Sequence, residues 1–200
     1  VSFGRTPIAN NRGAAYSQAK MELRTRTISR LRDALLQSGR RPSLIASPAY
    51  ETLTRQGLLS VEEFTALNRV DPLAETMFLM MSVDGNVGED ELIALRGALR
   101  GLTDNLLRSG TVKVMVENYQ SRLAEQGRDA RLQEIADALL GEPTEAEGAF
   151  ALAAAIALAD DEIAPEENAL INQLAEWFGI SEARADEILD QLDEDGTEEE

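Results

Sequence analysis

Two short acidic turns hold the residues best suited to chemistry. In the first, Met77 to Leu95 reads M-F-L-M-M-S-V-D-G-N-V-G-E-D-E-L-I-A-L, with Asp84 at the turn entry and Glu91 seven residues on. In the second, between Ala153 and Ile171, Asp160 and Asp161 stand at the entry and Glu167 follows Asp160 at the same spacing. A hard cation such as calcium or magnesium needs several oxygens at about 2.0 to 2.6 Å, from carboxylates, carbonyls and water, and each turn supplies some of them. Asp84, Glu91, Asp160, Asp161 and Glu167 are therefore candidate metal ligands. The same residues serve equally as structural caps, because Asp at a helix end and Glu in a first turn stabilise by about 0.3 to 2 kcal/mol each. A third role is a docking patch for a protein partner. The first turn also echoes the end of an EF-hand loop through Gly85, Val87 and Glu91, but the upstream loop carboxylates would fall on Met80 and Ser82, so an EF-hand is not expected.

The residue inventory narrows the chemistry further. With no Cys and no His, thiol–imidazole pairs, Ser-His-Asp triads, disulfides and Cys or His zinc sites are all excluded. Paired carboxylates that activate water with a metal remain a third possibility, but no substrate pocket or oxyanion stabiliser accompanies them. No enzymatic activity is expected, and no catalytic residue is assigned. The net charge of -17 argues against an overall affinity for nucleic acid.

The elements that position the turns repeat. At an offset of 76 residues, Val83, Asp84, Val87, Asp90, Glu91 and Leu95 meet Ala159, Asp160, Ile163, Glu166, Glu167 and Ile171. The expected fold is all-α, a pseudo-symmetric helical bundle of two helix-turn-helix repeats with an N-terminal helical arm. Asp71-Pro72 predicts the start of a long helix through Val83, and Glu89 to Leu102 a second with leucines at core spacing, extending toward Leu106 and Leu107. Helices follow from Gly110-Thr111 to Gly127 and around Leu132 to Leu139. Thr144 to Glu147 reads as a capping box opening an Ala-rich helix through Ala159. Pro165 starts a helix through Phe178 whose Leu170, Ile171, Leu174 and Trp177 face the core, and Ser181 caps a last one to about Leu192. Met77, Met80 and Met81 are read as core. Residues 193–200 carry six acids in eight positions and read as an acidic disordered tail.

Ahead of this domain, assigned to residues 71–192, residues 46–70 read as a short helical adaptor. Ser47-Pro48 opens a helix closed by Gly57, and the capping box Ser60 to Glu63 opens another to about Arg69. Residues 1–45 form a basic arm. The first 41 residues hold nine Arg or Lys against two acids, whereas the remainder hold ten against 34. A helix from about Ala14 to Ser38 puts Met21, Ile28, Leu31 and Leu35 on one side. Arg24, Arg26, Arg30 and Arg32 make its other surface a candidate partner-binding face. It either docks on the acidic body of its own chain, binds an external acidic protein, or meets an anionic membrane surface or nucleic acid. No run approaches the roughly 20 apolar residues of a membrane span, and residues 1–13 hold no apolar signal core.

The segments F-L-M-M-S-V-D-G-N-V-G-E-D-E-L and A-L-A-D-D-E-I-A-P-E-E-N-A-L-I resemble the two signature regions of the TerB-like tellurite-resistance domain. The resemblance covers about Asp71 to Leu192. It implies an all-helical, bilobed cytoplasmic bacterial domain with an acidic surface proposed to bind metal ions, associated with stress-response or membrane-linked complexes. On this chain it places that role on Asp84 and Glu91, and on Asp160 and Glu167. Asp161 stands where the family usually has Gly. The expected function is a non-enzymatic TerB-like interaction module in bacterial stress response that binds a divalent cation, calcium or magnesium, through its acidic turns. The alternative is a structural or accessory subunit of a larger assembly, tethered by its basic arm.

Overall fold

The computed structural model describes residues 25–37, 48–85, 87–158 and 164–197. Among these residues all regular structure is helical, as the all-α expectation has it: α1 Thr25–Gln37, α2 Pro48–Arg55, α3 Val61–Met81, α4 Glu89–Leu102, α5 Ser109–Gln126, α6 Arg128–Leu139, α7 Pro143–Ala157, α8 Pro165–Trp177 and α9 Glu182–Thr197. None of them is long and apolar enough to cross a membrane.

Two helices form the centre. α3 and α7 pack along each other, with α4, α5 and α6 against α3, and α6, α8 and α9 against α7. The Ala-rich sequence of α7 suits that position, because its small side chains let α3 approach closely. Met77, Met80 and Met81 are buried in the core, with Leu95, Leu99, Phe150 and Leu174.

The structure corrects several expected boundaries. Ser60 does cap α3, its hydroxyl accepting the Glu63 N–H at 3.1 Å, but the helix does not stop near Arg69. It continues through Pro72 to Met81, although a proline inside a helix removes a hydrogen bond and costs about 3 kcal/mol. From Ala66 to Met81 every residue except Arg69 is buried, so packing on all sides outweighs that loss. The Asp71 carboxylate, which was expected to cap a new helix, instead accepts hydrogen bonds from Tyr50 and Tyr119. The expected border between adaptor and domain thus lies inside one helix. The capping box at Thr144 is also absent. α7 begins two residues earlier than that box would have it, at Pro143 after the N-cap Glu142, and Glu147 holds Arg184 of α9 at 2.7 Å. α4 stops at Leu102 because Asp104 and Asn105 take left-handed conformations, with φ of 52° and 61°. Trp177 is 38% exposed; it is the last residue of α8, where the chain turns away through Gly179 at φ 68°. α9 runs past Leu192 to Thr197.

The arm helix docks on its own body. α1 packs against α4, α7 and α9, and Ile28 and Leu31 enter two notches made by glycines. A Cβ on Gly101 would lie 2.5 Å from Ile28 Cγ2, and one on Gly148 would lie 2.9 Å from Leu31 Cδ2. Both glycines sit inside helices, where the residue costs about 1 kcal/mol relative to Ala; the close approach of α1 explains them. The portion of the expected arm helix before Thr25 lies outside the described residues.

Helix boundaries follow the offset of the sequence repeat. α3 ends at Met81 and α7 at Ala157, while α4 begins at Glu89 and α8 at Pro165.

Candidate functional site

The two acidic turns use their glutamates in the same way. Glu91 Oε2 accepts the backbone N–H of Gly88 at 2.5 Å, and Glu167 Oε2 accepts that of Ala164 at 2.8 Å. Gly88 and Ala164 are the extended residues that precede α4 and α8. Each glutamate therefore fixes the entry into the helix it belongs to, the backward half of a capping box. The first turn is also held from outside, since Arg128 of α6 donates to the carbonyls of Ser82 and Val83 at 3.1 and 3.4 Å. Asp84 is exposed. Asp160 and Asp161 lie outside the described residues. Among the described residues no group of three or more carboxylates is close enough to hold a metal ion.

On α1, Arg30 is exposed, and Arg32 donates to the neighbouring Asp33 at 3.2 Å. Arg24 and the Arg26 side chain lie outside the described residues.

A second constellation, absent from the sequence expectations, is buried beneath α3. Asp71 and Glu75 lie one helical turn apart, and each is only 2% exposed. Arg131 of α6 forks onto both oxygens of Glu75 at 2.8 and 3.0 Å, with further hydrogen bonds to Gln126 and Glu134. Arg122 of α5 donates to Glu75 Oε2 at 2.9 Å and lies 3.8 Å from Asp71 Oδ2. The Tyr119 hydroxyl donates to Asp71 Oδ1 at 2.8 Å, and that of Tyr50, from α2, approaches the same oxygen at 3.3 Å. Two carboxylates thus meet two guanidiniums, and planar forks of this kind satisfy buried charges best.

The balance is uneven between the two acids. Burial pushes the Asp71 carboxyl up to about 6, against the opposing pull of Arg122 and the Tyr119 hydroxyl. Burial and the Asp71 charge raise both tyrosines, so their hydroxyls stay protonated and remain donors. A smaller cluster ties α3 to α5. Glu63 accepts the Arg108 backbone N–H at 3.1 Å, Arg108 Nε at 2.9 Å and the Thr111 hydroxyl. Burial pushes Glu63 up, but these hydrogen bonds outweigh it and hold its carboxyl below the usual range.

Chemically these groups neutralise one another and clamp α2, α3, α5 and α6 together. Two acids four residues apart within an otherwise apolar run were the signal for this cluster, since such acids are rarely buried without cationic partners.

A family model described as tellurite resistance protein TerB matches residues 71–190. The matched region takes in both acidic turns and five members of the buried cluster, Asp71, Glu75, Tyr119, Arg122 and Arg131, but leaves out Tyr50 and α1. No curated protein and no solved structure gives a significant match to the chain.

Proposed function

The chain belongs to the TerB family, and from that premise we propose a non-enzymatic interaction module whose acidic surface binds a divalent cation, calcium or magnesium, or a basic protein partner, in a bacterial stress response at the cytoplasmic side. The observation that carries this proposal is where the charges sit. Asp71 and Glu75 close on arginines inside the bundle and Glu63 on the exposed Arg108 at its edge, which leaves the acidic excess of residues 42–200 to be presented at the surface. Asp84 marks that surface at the first turn, the resemblance adds Asp160 at the second, and Asp161, where the family usually has Gly, adds a further charge in the sequence there.

The division of labour within the turns sets the experiment. Calcium and magnesium are titrated calorimetrically into the full chain, into a variant carrying Asp84→Asn, Asp160→Asn and Asp161→Asn, and into a variant carrying Glu91→Gln and Glu167→Gln. Glutamine keeps a carbonyl acceptor for the capping hydrogen bonds, so the second variant tests ligation without unpicking the helix starts. Saturable heat that disappears with the aspartates supports cation binding at the turns. Equal, unsaturated heats in all three chains remove the cation and leave the basic partner.

The tethered-subunit alternative keeps one foothold. Docking of Ile28 and Leu31 on the body occupies the apolar side of α1, so a tether acting through this helix would use its exposed side, where Arg30 lies.

A further inference from the structure

A groove of about 230 Å³ opens between α4 and α5, lined by Ile93, Arg96, Gly97, Arg100, Leu107 and Val112. Leu107 and Val112 lie buried beneath it, while Ile93 at the rim is 55% exposed. Three features bear on what it could hold.

The first is its floor. Gly97 lies in the middle of α4, where glycine costs about 1 kcal/mol relative to alanine. Gly101 and Gly148 are required by the approach of α1, but a Cβ on Gly97 would meet nothing within 4 Å among the described residues. The fold gains nothing from this glycine; the open groove does.

The second is charge. Arg96 and Arg100 are one turn apart on the wall of the groove, and neither makes an ion pair or hydrogen bond within the described residues. In the same molecule Arg108, Arg122, Arg131 and Arg184 all hold carboxylates. Two guanidiniums on one helix face without a carboxylate partner among the described residues are conspicuous in a chain of net charge -17. The third is size. The groove is smaller than the roughly 300 to 1,000 Å³ of small-molecule and cofactor sites, yet a cavity of about 150 Å³ holds a benzene ring. It fits one or two aliphatic side chains.

We propose that this groove is a docking site for an acidic peptide segment of a partner protein. An aliphatic anchor enters over Gly97 against Ile93, above the buried Leu107 and Val112, and flanking carboxylates pair with Arg96 and Arg100. The surface is distinct from the acidic turns and takes a partner of the opposite charge, so its fate is independent of the cation proposal. Arginine is suited to such a rim because its fork holds a carboxylate through two hydrogen bonds.

The test uses the full chain, isotopically labelled, and a fluorescein-tagged 12-residue peptide with leucines at positions i and i+4 flanked by glutamates. Two control peptides replace the glutamates by lysines or the leucines by serines. Saturable binding of the Glu/Leu peptide is expected, with amide shifts centred on α4 and the start of α5. Weakening of about tenfold or more is expected on either control peptide, since buried anchors and paired charges dominate such contacts. Gly97→Leu fills the groove while favouring the helix, and Arg96→Glu with Arg100→Glu reverses the rim. Each is expected to weaken the Glu/Leu peptide about tenfold with the thermal midpoint retained or raised for Gly97→Leu. Equal binding of the Lys/Leu peptide, or unchanged affinity in folded Gly97→Leu, would overturn the proposal. So would co-sedimentation with phosphatidylglycerol vesicles that Gly97→Leu abolishes while the peptide stays unbound, which would assign the groove to lipid. Concentration-dependent dimerisation lost in Gly97→Leu, or shifts of residues 1–24 in that variant without peptide, would reassign it to a second copy or to the chain's own leading segment.

Discussion

Glu75 is the residue on which the buried charges depend, because it accepts from both Arg122 and Arg131. Glu75→Ala leaves two guanidiniums facing each other without their common carboxylate, and breaking a buried pair in this way costs about 3 to 5 kcal/mol. Urea unfolding monitored by far-ultraviolet circular dichroism reads that loss directly. Asp71 carries a different signature. Its folded carboxyl titrates near 6, above the ordinary value of about 3.9. Below about pH 4 it is neutral in both folded and unfolded chains. As pH rises from about 4 to 6 the unfolded chain ionises first, so the contribution of Asp71 to stability falls, by at most about 3 kcal/mol. Asp71→Asn removes this dependence while keeping an acceptor for Tyr119, so its stability relative to the native chain should improve between pH 4 and 6.5. A difference constant across that range would show that Asp71 titrates normally. The sequence disclosed the turn residues because capping is local, and Glu91 and Glu167 cap as their positions suggested. It concealed the cluster because Arg122 and Arg131 lie 47 and 56 positions from Glu75, a separation that spacing along one helix does not register.

The same contrast between local and distant holds for whole elements. The start of α4 at Glu89 and of α8 at Pro165 was legible, since an acidic first turn, an N3 glutamate and a proline all act within a few residues. The continuation of α3 through Pro72 was not, because it depends on helices packed around it from elsewhere in the chain. Capping is nevertheless testable by itself. Glu91→Ala and Glu167→Ala should each destabilise the fold by about 0.5 to 2 kcal/mol, and the Gln variants by less. The arm helix gives a sharper case. Gly101→Val drives branched methyls into Ile28, and overpacking of this sort costs about 1 to 3 kcal/mol. The strain is relieved most easily by release of α1. Amide exchange should then accelerate across Thr25–Gln37 with little change in α3 and α7, and Ile28→Ala in the same chain should restore part of the protection by clearing the notch. Uniform acceleration through the bundle would instead mean that α1 and the core unfold as one unit.

At the scale of the whole molecule the decisive quantity is the opposition of two fields, a basic leading segment and a strongly acidic body. The body repels itself, and its net charge destabilises the compact state. The arm attracts the body, and α1 lies on it. Salt acts on both, since screening shortens from about 10 Å at 0.1 M to about 3 Å at 1 M. Raising sodium chloride from 0.05 to 0.5 M should therefore increase the thermal midpoint, by about 2 to 4 °C for each kcal/mol of repulsion relieved in a chain of this size. Over the same range, amide protection of α1 should fall relative to α3, because only its apolar contacts at Gly101 and Gly148 are indifferent to screening. Magnesium added at matched ionic strength separates a site from a field. A further rise in midpoint that persists at 0.5 M salt and vanishes with Asp84→Asn, Asp160→Asn and Asp161→Asn indicates ligation at the turns. A rise that high salt abolishes reflects screening of the acidic body as a whole, and a midpoint that falls with salt would mean that arm–body attraction outweighs the body's self-repulsion.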